Sequence, residues 1–390
     1  MGDESRIDII VKNPVYQELC ATLINENGGI LYVAETDSTP FPDGSPNLTI
    51  GMEGRVGEDR SPYANIVVIP GYISGPNTVP NLNLMVQIGH TFSREIRTDH
   101  RTPWAQAIIY VLSDLEGRGN KPTKNENGDG LIPEAQLQPA YYTIDMLTYT
   151  GKANKVILLD PHDFDTVRLF EEKGVSVTSI TALHECAKYM ADQGLIPDTE
   201  ASNEKKKKYG IFIPDNGSIG RCLKLSKLTG IPIVGRIYKT RNGTNIKITV
   251  TGAENIIGKH ILLPDDMIAS GNTLYTDAKW LRDNGAASVT AIVIHVKGVP
   301  KAQNTLFRCF TEQCKDGKSV LNNIVITNST PYHKQLLDLN RQIDEQRSVI
   351  HAVNVLPLMA HVTRAVLYPT KKIWRPSDMI YLLSAPMNNI

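Results

Sequence analysis

The sequence predicts an α/β protein made of two doubly wound domains, each built around a parallel β-sheet. Short apolar runs such as residues 66–70 and 156–159 alternate with longer amphipathic stretches, and this pattern is typical of parallel strands covered by helices on both faces. The alternation occurs twice, from about residue 30 to 162 and from about residue 175 to 327. A chain of 390 residues is also long enough for two domains.

The predicted elements follow one another through both halves of the chain. The strand-like runs are residues 66–70, 107–112, 156–159, 210–213, 231–234, 260–263, 289–295 and 323–326. The helix-like stretches are residues 82–96, 138–150, 183–193, 219–228, 274–284 and 331–342. Gly151, Gly230 and Gly285 fall at or just beyond the ends of three of these helices, where glycine is favoured because it adopts the left-handed conformation without strain.

We expect residues 1–167 to form an N-terminal domain and residues 168–367 to form a C-terminal domain. Two polar segments interrupt the alternation. Residues 121–137 contain glycine and many polar residues, and residues 198–208 are highly charged and end in four lysines, so both segments are predicted to be solvated loops. The tail, about residues 368–390, contains a strand-like MIYLL run, and we expect it to pack back on the first domain.

Composition argues against several classes of function. The formal net charge is zero and 6% of the residues are aromatic, so the chain has neither the global basic charge nor the abundant stacking side chains of many nucleic-acid-binding proteins. The five cysteines are scattered without C-x-x-C spacing, which indicates neither a disulfide framework nor a zinc site. No apolar run reaches the ~18 residues of a membrane span, and the start does not resemble a signal peptide. We therefore expect a cytoplasmic protein with no nucleic-acid or membrane partner.

The strongest functional signal is residues 261–273, ILLPDDMIASGNT. An apolar strand ends in Asp265 and Asp266, a turn of small residues follows, and a helix then begins. Carboxylates at the carboxyl end of a strand can accept hydrogen bonds from vicinal hydroxyls, and N–H groups at a helix N-terminus bind a phosphate. Hydroxyls on one side and a phosphate on the other describe ribose 5-phosphate. The simpler alternative is that the acids cap the helix and the glycine makes the turn.

This pattern is the signature of the phosphoribosyltransferase fold, which the sequence resembles. The resemblance implies that both domains are of phosphoribosyltransferase type and that the second one binds ribose phosphate. The residues expected to do so are Asp265, Asp266, Ala269, Ser270, Gly271, Asn272 and Thr273. Two positions depart from the usual pattern, because Pro264 replaces an apolar residue and Ala269 stands where many members have a third acid.

Further segments resemble ribose-phosphate pyrophosphokinase in their order along the chain. In the N-terminal half, FPDG is similar to an ATP-contacting FSDGE segment, and DPH after a strand is similar to a DLH segment. This resemblance implies that Phe41, Asp43 and His162 bind ATP and that His162 also belongs to the metal site. Arg118 is the one plausible counterpart of an ATP-binding RQD segment, which is otherwise not retained. Without the resemblance, His162 is better explained as a hydrogen-bonded structural residue.

In the C-terminal half, the segment PDNG followed by Arg221 is similar to a PDxGxxxR turn, which implies that Asp215 belongs to the metal site. The segment YKTR is similar to a catalytic KRR loop, which implies that Lys239 and Arg241 are catalytic. We expect both in a loop, residues 239–245, that could close over the site, and a solvated hairpin is the alternative. The segments VITNS and LPLMA are similar to a strand end and a helix of the same family.

The resemblance implies a Mg²⁺-dependent pyrophosphokinase with ATP as co-substrate. It would transfer the β,γ-pyrophosphate of ATP to the anomeric hydroxyl of ribose 5-phosphate, giving phosphoribosyl pyrophosphate and AMP. The main alternative is the same chemistry on ADP-ribose, giving ADP-ribose pyrophosphate, because backbone N–H groups would hold the phosphate of either acceptor. A phosphoribosyltransferase and a non-catalytic regulatory homologue are further alternatives. The family also implies homo-oligomers.

Overall fold

The computed structural model describes residues 8–12, 14–26, 31–37, 49–52, 64–93, 105–115, 139–242, 245–298, 300–343 and 348–368. These residues form two compact units. The first unit combines the described residues up to 115 with residues 139–180 and 356–368, and the second consists of the described residues from 181 to 355. Among the described residues, the second unit is thus drawn from one region of the sequence, whereas the first combines separate regions.

The elements of the described residues are numbered in chain order. The strands are β1 (Asp8–Lys12), β2 (Leu31–Asp37), β3 (Thr49–Met52), β4 (Ala64–Ile73), β5 (Ala105–Leu115), β6 (Lys155–Leu159), β7 (Ser176–Ile180), β8 (Tyr209–Ile213), β9 (Ile233–Asn242), β10 (Asn245–Thr251), β11 (His260–Ile268), β12 (Ser288–Val296), β13 (Asn323–Thr327) and β14 (Ile350–Val353). The helices are α1 (Gln17–Glu26), α2 (Thr78–Ser93), α3 (Pro139–Asp145), α4 (Phe164–Glu172), α5 (Leu183–Asp192), α6 (Asn203–Lys207), α7 (Ile219–Thr229), α8 (Asn272–Asp283), α9 (Pro300–Thr311), α10 (His333–Ile343) and α11 (Leu356–Leu367).

The first unit is built on a sheet with the strand order β3-β2-β1-β4-β5-β6-β7. Among its described strands only β3 runs antiparallel to its neighbour. The central strands are apolar and buried along most of their length, as in the sequence IVVIPGYI of β4, because helices cover a parallel sheet on both faces. Helix α1 packs against α11, and α2 packs against β4 and the π-helical turn Met146–Thr150 that continues α3.

The second unit repeats this architecture with the strand order β10-β9-β8-β11-β12-β13-β14. Its described strands are parallel except for β10, which forms an antiparallel hairpin with β9. Helices α5 and α7 pack together, and α9 packs against both α8 and α10. The two doubly wound sheets confirm the predicted α/β class. Within the described part of the chain, no helix combines the length and the apolar character needed to cross a membrane.

One predicted loop is partly helical. The prediction of a loop over residues 198–208 is wrong at α6, where Ser202 Oγ accepts a hydrogen bond from the Lys205 N–H at 3.4 Å and so caps the helix. The lysine side chains of this segment are mostly exposed, in agreement with a solvated face. The predicted loop at residues 121–137 lies outside the described residues. The tail expected to return to the first domain, residues 369–390, also lies outside them.

Candidate functional site

The second sheet has a point at which the direction of its connections reverses. From β8 the chain passes through α7 to β9 on one side, and from β11 it passes through α8 to β12 on the other side. Because β8 and β11 are neighbours in the sheet, a crevice opens between their two connections at the carboxyl edge. Ligands of open α/β sheets bind at such a switch point. The residues that follow β8 and those at the end of β11 are therefore the first candidates for a site.

The paired acids Asp265 and Asp266 lie in the last part of β11, on the edge of this crevice. The pairing of β11 with β8 extends to Leu262, opposite Ile211, and the pairing with β12 continues to Ile268. Pro264 has no N–H to donate to a neighbouring strand, so its position just beyond the last β8 pair is consistent with the separation of the two strands there. The acids thus lie beyond the last residue of β11 that pairs with β8, in a part of β11 that still pairs with β12.

The two carboxyl groups form a compact acidic pair. The Asp266 N–H donates a hydrogen bond to Asp265 Oδ1 at 2.9 Å, and Asp266 is buried. Burial raises the pKa of the Asp265 carboxyl well above its usual value, and the negative charge of Asp266 raises it further. Asp215 also raises this pKa, whereas the Arg221 guanidinium opposes the shift. The structure therefore brings Asp215 and Arg221 within electrostatic reach of the acidic pair.

The turn after the acids has the geometry of an anion site. Gly271 has φ = +76°, a left-handed conformation that glycine adopts without strain, and α8 begins at the next residue, Asn272. The Gly271 carbonyl accepts the first helical hydrogen bond, from the Tyr275 N–H at 2.9 Å. The N–H groups of the first helical turn have no carbonyl partner within the helix, and they carry the positive end of its dipole. The predicted phosphate-binding residues 269–273 thus lie at a helix N-terminus.

Thr305, which was not among the predicted site residues, packs against this turn from α9. A Cβ atom built on Gly271 would lie 3.2 Å from both Cβ and Cγ2 of Thr305. Thr305 Oγ1 lies 3.5 Å from Asn272 Oδ1 and donates a hydrogen bond to the Lys301 carbonyl at 2.9 Å. Thr305 therefore sets the space available to the turn. No motif marks such a residue, because the contact is tertiary and joins positions more than thirty residues apart.

Asp215 follows β8 and organises the turn that leads into α7. Its Oδ1 accepts hydrogen bonds from the backbone N–H and the hydroxyl of Ser218, both at 2.9 Å. The Asn216 side-chain oxygen accepts a hydrogen bond from Arg236 of β9. Asp215 thus has a structural role in the turn that precedes α7, and it also contributes negative charge near Asp265. The two roles are compatible because a carboxylate has two oxygens and about four acceptor positions.

Lys239 and Arg241 lie in strand β9 rather than in a loop. Their backbones pair with β10, Lys239 opposite Ile248 and Arg241 opposite Ile246. The prediction of a loop at residues 239–245 is wrong, and the hairpin alternative describes the backbone. The physical reason is local: Asn242 pairs with Asn245, so two residues connect the strands. The first of these two is a glycine, which two-residue hairpin turns favour, and β-branched residues follow in β10.

The residues predicted to bind ATP belong to the first part of the chain. His162 lies just beyond β6 in the first unit, and Asp163 caps the next helix, α4, by accepting a hydrogen bond from the Thr166 N–H at 3.1 Å. Phe41, Asp43 and Arg118 lie outside the described residues. Their roles stay predictions.

The acidic groups of the second unit suit a hard cation that is held partly by substrate. In the described part of the chain, no three or more His, Cys, Asp or Glu side chains form a group that could hold a metal ion. Asp215, Asp265 and Asp266 nevertheless offer carboxylate oxygens within electrostatic reach of one another. Mg²⁺ is usually bound by one or two carboxylates together with waters and substrate phosphates. These residues therefore fit Mg²⁺ that arrives with a phosphorylated substrate better than an all-protein metal site.

Comparisons with known proteins agree with this geometry. The family described as "Phosphoribosyl transferase domain" matches residues 215–324, from the Asp215 turn to β13. A ribose-phosphate pyrophosphokinase of Aeropyrum pernix is 27% identical over 113 residues, which are 28% of this chain and 36% of that protein. The enzymes of the same name from Parasynechococcus marenigrum and Prochlorococcus marinus are 30% identical over 125 residues (32% and 35% of the two chains) and 27% identical over 192 residues (49% and 51%).

The chain is similar to the ribose-phosphate pyrophosphokinases at low sequence identity.

The likeness to this family extends to the fold of both units. The crystal structure of phosphoribosylpyrophosphate synthetase from Mycobacterium smegmatis superposes with a TM-score of 0.64 at 18% identity, covering 94% of this chain and all of that one. In sequence, by contrast, the chain spans only about a third to a half of the length of the three curated pyrophosphokinases. The phosphoribosyltransferase match falls within the second unit, which holds the acidic pair and the phosphate-binding turn.

Proposed function

We propose that the protein is a Mg²⁺-dependent pyrophosphokinase that transfers the β,γ-pyrophosphate of ATP to the anomeric hydroxyl of ribose 5-phosphate. The observation that carries this proposal is the position of the Asp265–Asp266 pair and the N-terminus of α8 at the switch point of the second sheet. The two carboxylates offer hydrogen-bond acceptors for hydroxyl groups, and the helix N-terminus offers N–H donors for a phosphate. The names of the related proteins support the same conclusion.

The second unit would hold the acceptor. Asp265 and Asp266 would accept hydrogen bonds from the vicinal hydroxyls of the ribose, and charge-assisted bonds of this kind are among the stronger ones in proteins. Backbone N–H groups of residues 270–273 would hold the 5-phosphate, with the dipole of α8 favouring its negative charge. Because both ends of the sugar phosphate are fixed, the anomeric hydroxyl would be held in one orientation, which lowers the entropic cost of reaction.

The proposed transfer makes one bond and breaks one. The anomeric oxygen attacks the β-phosphorus of ATP and forms a new O–P bond, while the bond from that phosphorus to the oxygen bridging the α-phosphate breaks. AMP leaves with the bridging oxygen, and the hydroxyl proton passes to solvent. Lys239 and Arg241 are proposed to neutralise charge on the transferring group, because positioning and electrostatics provide most of the catalysis in reactions of this class.

The nucleotide and the metal ion are assigned from the resemblance. When bound, Mg²⁺ would neutralise charge on the ATP phosphates. Asp215 and His162 are proposed to contact the ion, and Phe41, Asp43 and Arg118 are proposed to bind ATP together with His162. The assembly of homo-oligomers and a cytoplasmic location are proposals that rest on the same resemblance.

The test is to follow AMP release with ATP and Mg²⁺ and either ribose 5-phosphate or ADP-ribose as acceptor. We expect AMP with ribose 5-phosphate, and a kcat/KM at least ~tenfold higher than with ADP-ribose, which is about 1.4 kcal/mol of transition-state discrimination. The opposite preference would assign the same chemistry to the extended acceptor, whose phosphate the N–H groups of α8 could also hold. AMP release with neither acceptor would reject the proposal and favour a phosphoribosyltransferase or a regulatory homologue.

A further inference from the structure

Asp160, the residue that follows β6, has an unusual backbone conformation. Among the described residues, two that are not glycine have a positive φ: Asp160 at +37° and Lys152 at +55°. Such angles are disfavoured for residues with a Cβ atom because it approaches the neighbouring carbonyl. Asp160 also precedes Pro161, and a residue before proline is pushed toward extended conformations by the proline ring. The backbone conformation of Asp160 is therefore disfavoured both by its own side chain and by the proline that follows it.

The surrounding structure holds Asp160 in this conformation. Its N–H donates a hydrogen bond to the Ile180 carbonyl of β7 at 2.8 Å, and the residue is 5% exposed. On the other side of β6, Leu112 of β5 pairs with Leu158. If this register is extended by two residues, Asp114 lies beside Asp160. Asp114 is itself 1% exposed and accepts a hydrogen bond from the Ser74 hydroxyl at 2.5 Å. Asp160 is thus fixed between two neighbouring strand ends.

The strained residue lies at the point where the chain turns out of the sheet toward His162. Strand β6 ends at Leu159, His162 follows three residues later, and α4 begins at Phe164. Strained backbone persists where its surroundings impose it, and it is concentrated at functional sites. An extended residue at position 160 would continue the strand direction, whereas a left-handed residue redirects the chain at once.

We propose that Asp160 is a positioning residue, whose left-handed backbone conformation sets the direction in which the chain carries His162 away from β6. The carboxylate would have no direct contact with substrate in this reaction. The geometric part of this inference concerns the first unit alone. Its consequence for the use of ATP rests on the proposed function.

The experiment compares substitutions that accept or reject a positive φ. Glycine adopts this conformation freely and asparagine tolerates it, whereas valine strongly resists it because its Cβ is branched. The variants are Asp160→Gly, Asp160→Asn and Asp160→Val, with Asp160→Ala as the milder replacement if the valine variant does not fold. Lys152→Val is the matched control, since it places valine at the other positive-φ position, which precedes β6 at the opposite edge of the sheet.

The first readout is the NMR signal of the His162 ring C–H, assigned by its loss in His162→Gln. It requires no substrate and so remains informative if the proposed function fails. We expect the signal to keep its position in the glycine and asparagine variants and to shift in the valine or alanine variant. Lys152→Val should lower the melting temperature without moving this signal. An unmoved signal in Asp160→Val, or an equal shift in the glycine variant, would overturn the inference.

The second readout is kcat/KM for Mg–ATP and for the acceptor, measured separately. The valine variant is expected to lose between ~tenfold and ~hundredfold in kcat/KM for Mg–ATP, as for a contacting group moved by about 1 Å, and to keep its acceptor KM. The glycine variant is expected to lose no more than ~threefold, because its backbone accepts the conformation. Equal losses in the glycine and valine variants would show that the carboxylate itself is needed and would overturn the backbone role.

Discussion

Gly271→Ala tests the phosphate-binding turn, because two separate physical effects oppose the added methyl group. Gly271 has φ = +76°, and a residue with a Cβ pays roughly 1–2 kcal/mol in the left-handed region. The new Cβ would also lie 3.2 Å from Cβ and Cγ2 of Thr305, and overpacking of this kind costs typically ~1–3 kcal/mol. If the turn moves to relieve about 2 kcal/mol of this strain in the bound state, kcat/KM for ribose 5-phosphate falls by about thirtyfold.

The assay measures acceptor KM, kcat/KM and melting temperature for Gly271→Ala beside two comparison variants. Gly258→Ala is the matched control, since Gly258 has φ = +71° and nothing within 4 Å of an added Cβ, and it precedes β11 at the opposite edge. It should lose stability and keep its acceptor KM. The double variant Gly271→Ala/Thr305→Ser removes the Thr305 methyl group and should recover part of the lost kcat/KM. If Gly271→Ala changes neither acceptor kinetics nor melting temperature, the proposed fit between this turn and α9 is refuted.

Further outcomes are expected for the paired acids, for the dependence of stability on pH, and for the metal and His162. Asp265→Asn and Asp266→Asn should each raise the KM for ribose 5-phosphate and lower kcat/KM roughly ten- to a hundredfold, since a charged hydrogen bond is worth ~1.5–3 kcal/mol; unchanged kinetics in both would remove the acids from the site. In the metal-free protein, the pKa of Asp265 is raised in the folded state, so this carboxyl group stabilises the fold at low pH and the stabilisation is lost as pH rises through the folded pKa. The melting temperature of the wild type should therefore fall relative to that of Asp265→Asn over this pH range. A difference in melting temperature that stays constant with pH would contradict the raised pKa. Chelation should abolish AMP release and His162→Ala should impair Mg–ATP use more than acceptor use; full activity in excess chelator would count against the metal.

The position of the two acids could be predicted from the sequence because a buried apolar strand and the carboxylates that follow it are both visible in the same short segment. The apolar run at residues 260–263 identified the strand, and the acids that follow it lie at the carboxyl edge, as predicted. The strand itself continues to Ile268, because its backbone pairs with β12 through Asp265 and Met267. An apolar pattern does not report that extension, since backbone hydrogen bonds form regardless of side-chain polarity.

Other elements were missed because their sequences carry weak or mixed signals. Strand β7, with the sequence SVTSI, is only partly buried at the edge of its sheet, so it lacks the apolar run expected of a central strand. Helix α9 begins at Pro300 and has a polar outer face, and without it the contact between Thr305 and Gly271 could not be anticipated. The conformation of Asp160 was equally hidden, because neighbouring strands impose it and its own sequence opposes it.

The pairing of α1 with α11 has a consequence for how the protein is made. The two helices pack together within the first unit, yet one lies near the start of the chain and the other follows residue 355. During synthesis, every residue of the second unit leaves the ribosome before α11 does. The side chains of α1 that are buried in the folded protein, such as Leu19 and Leu23, therefore cannot be covered by α11 until the second unit has been synthesised. A chain released before Leu356 would carry an intact second unit and a first unit with one helix uncovered, which is a surface that chaperones and proteases recognise.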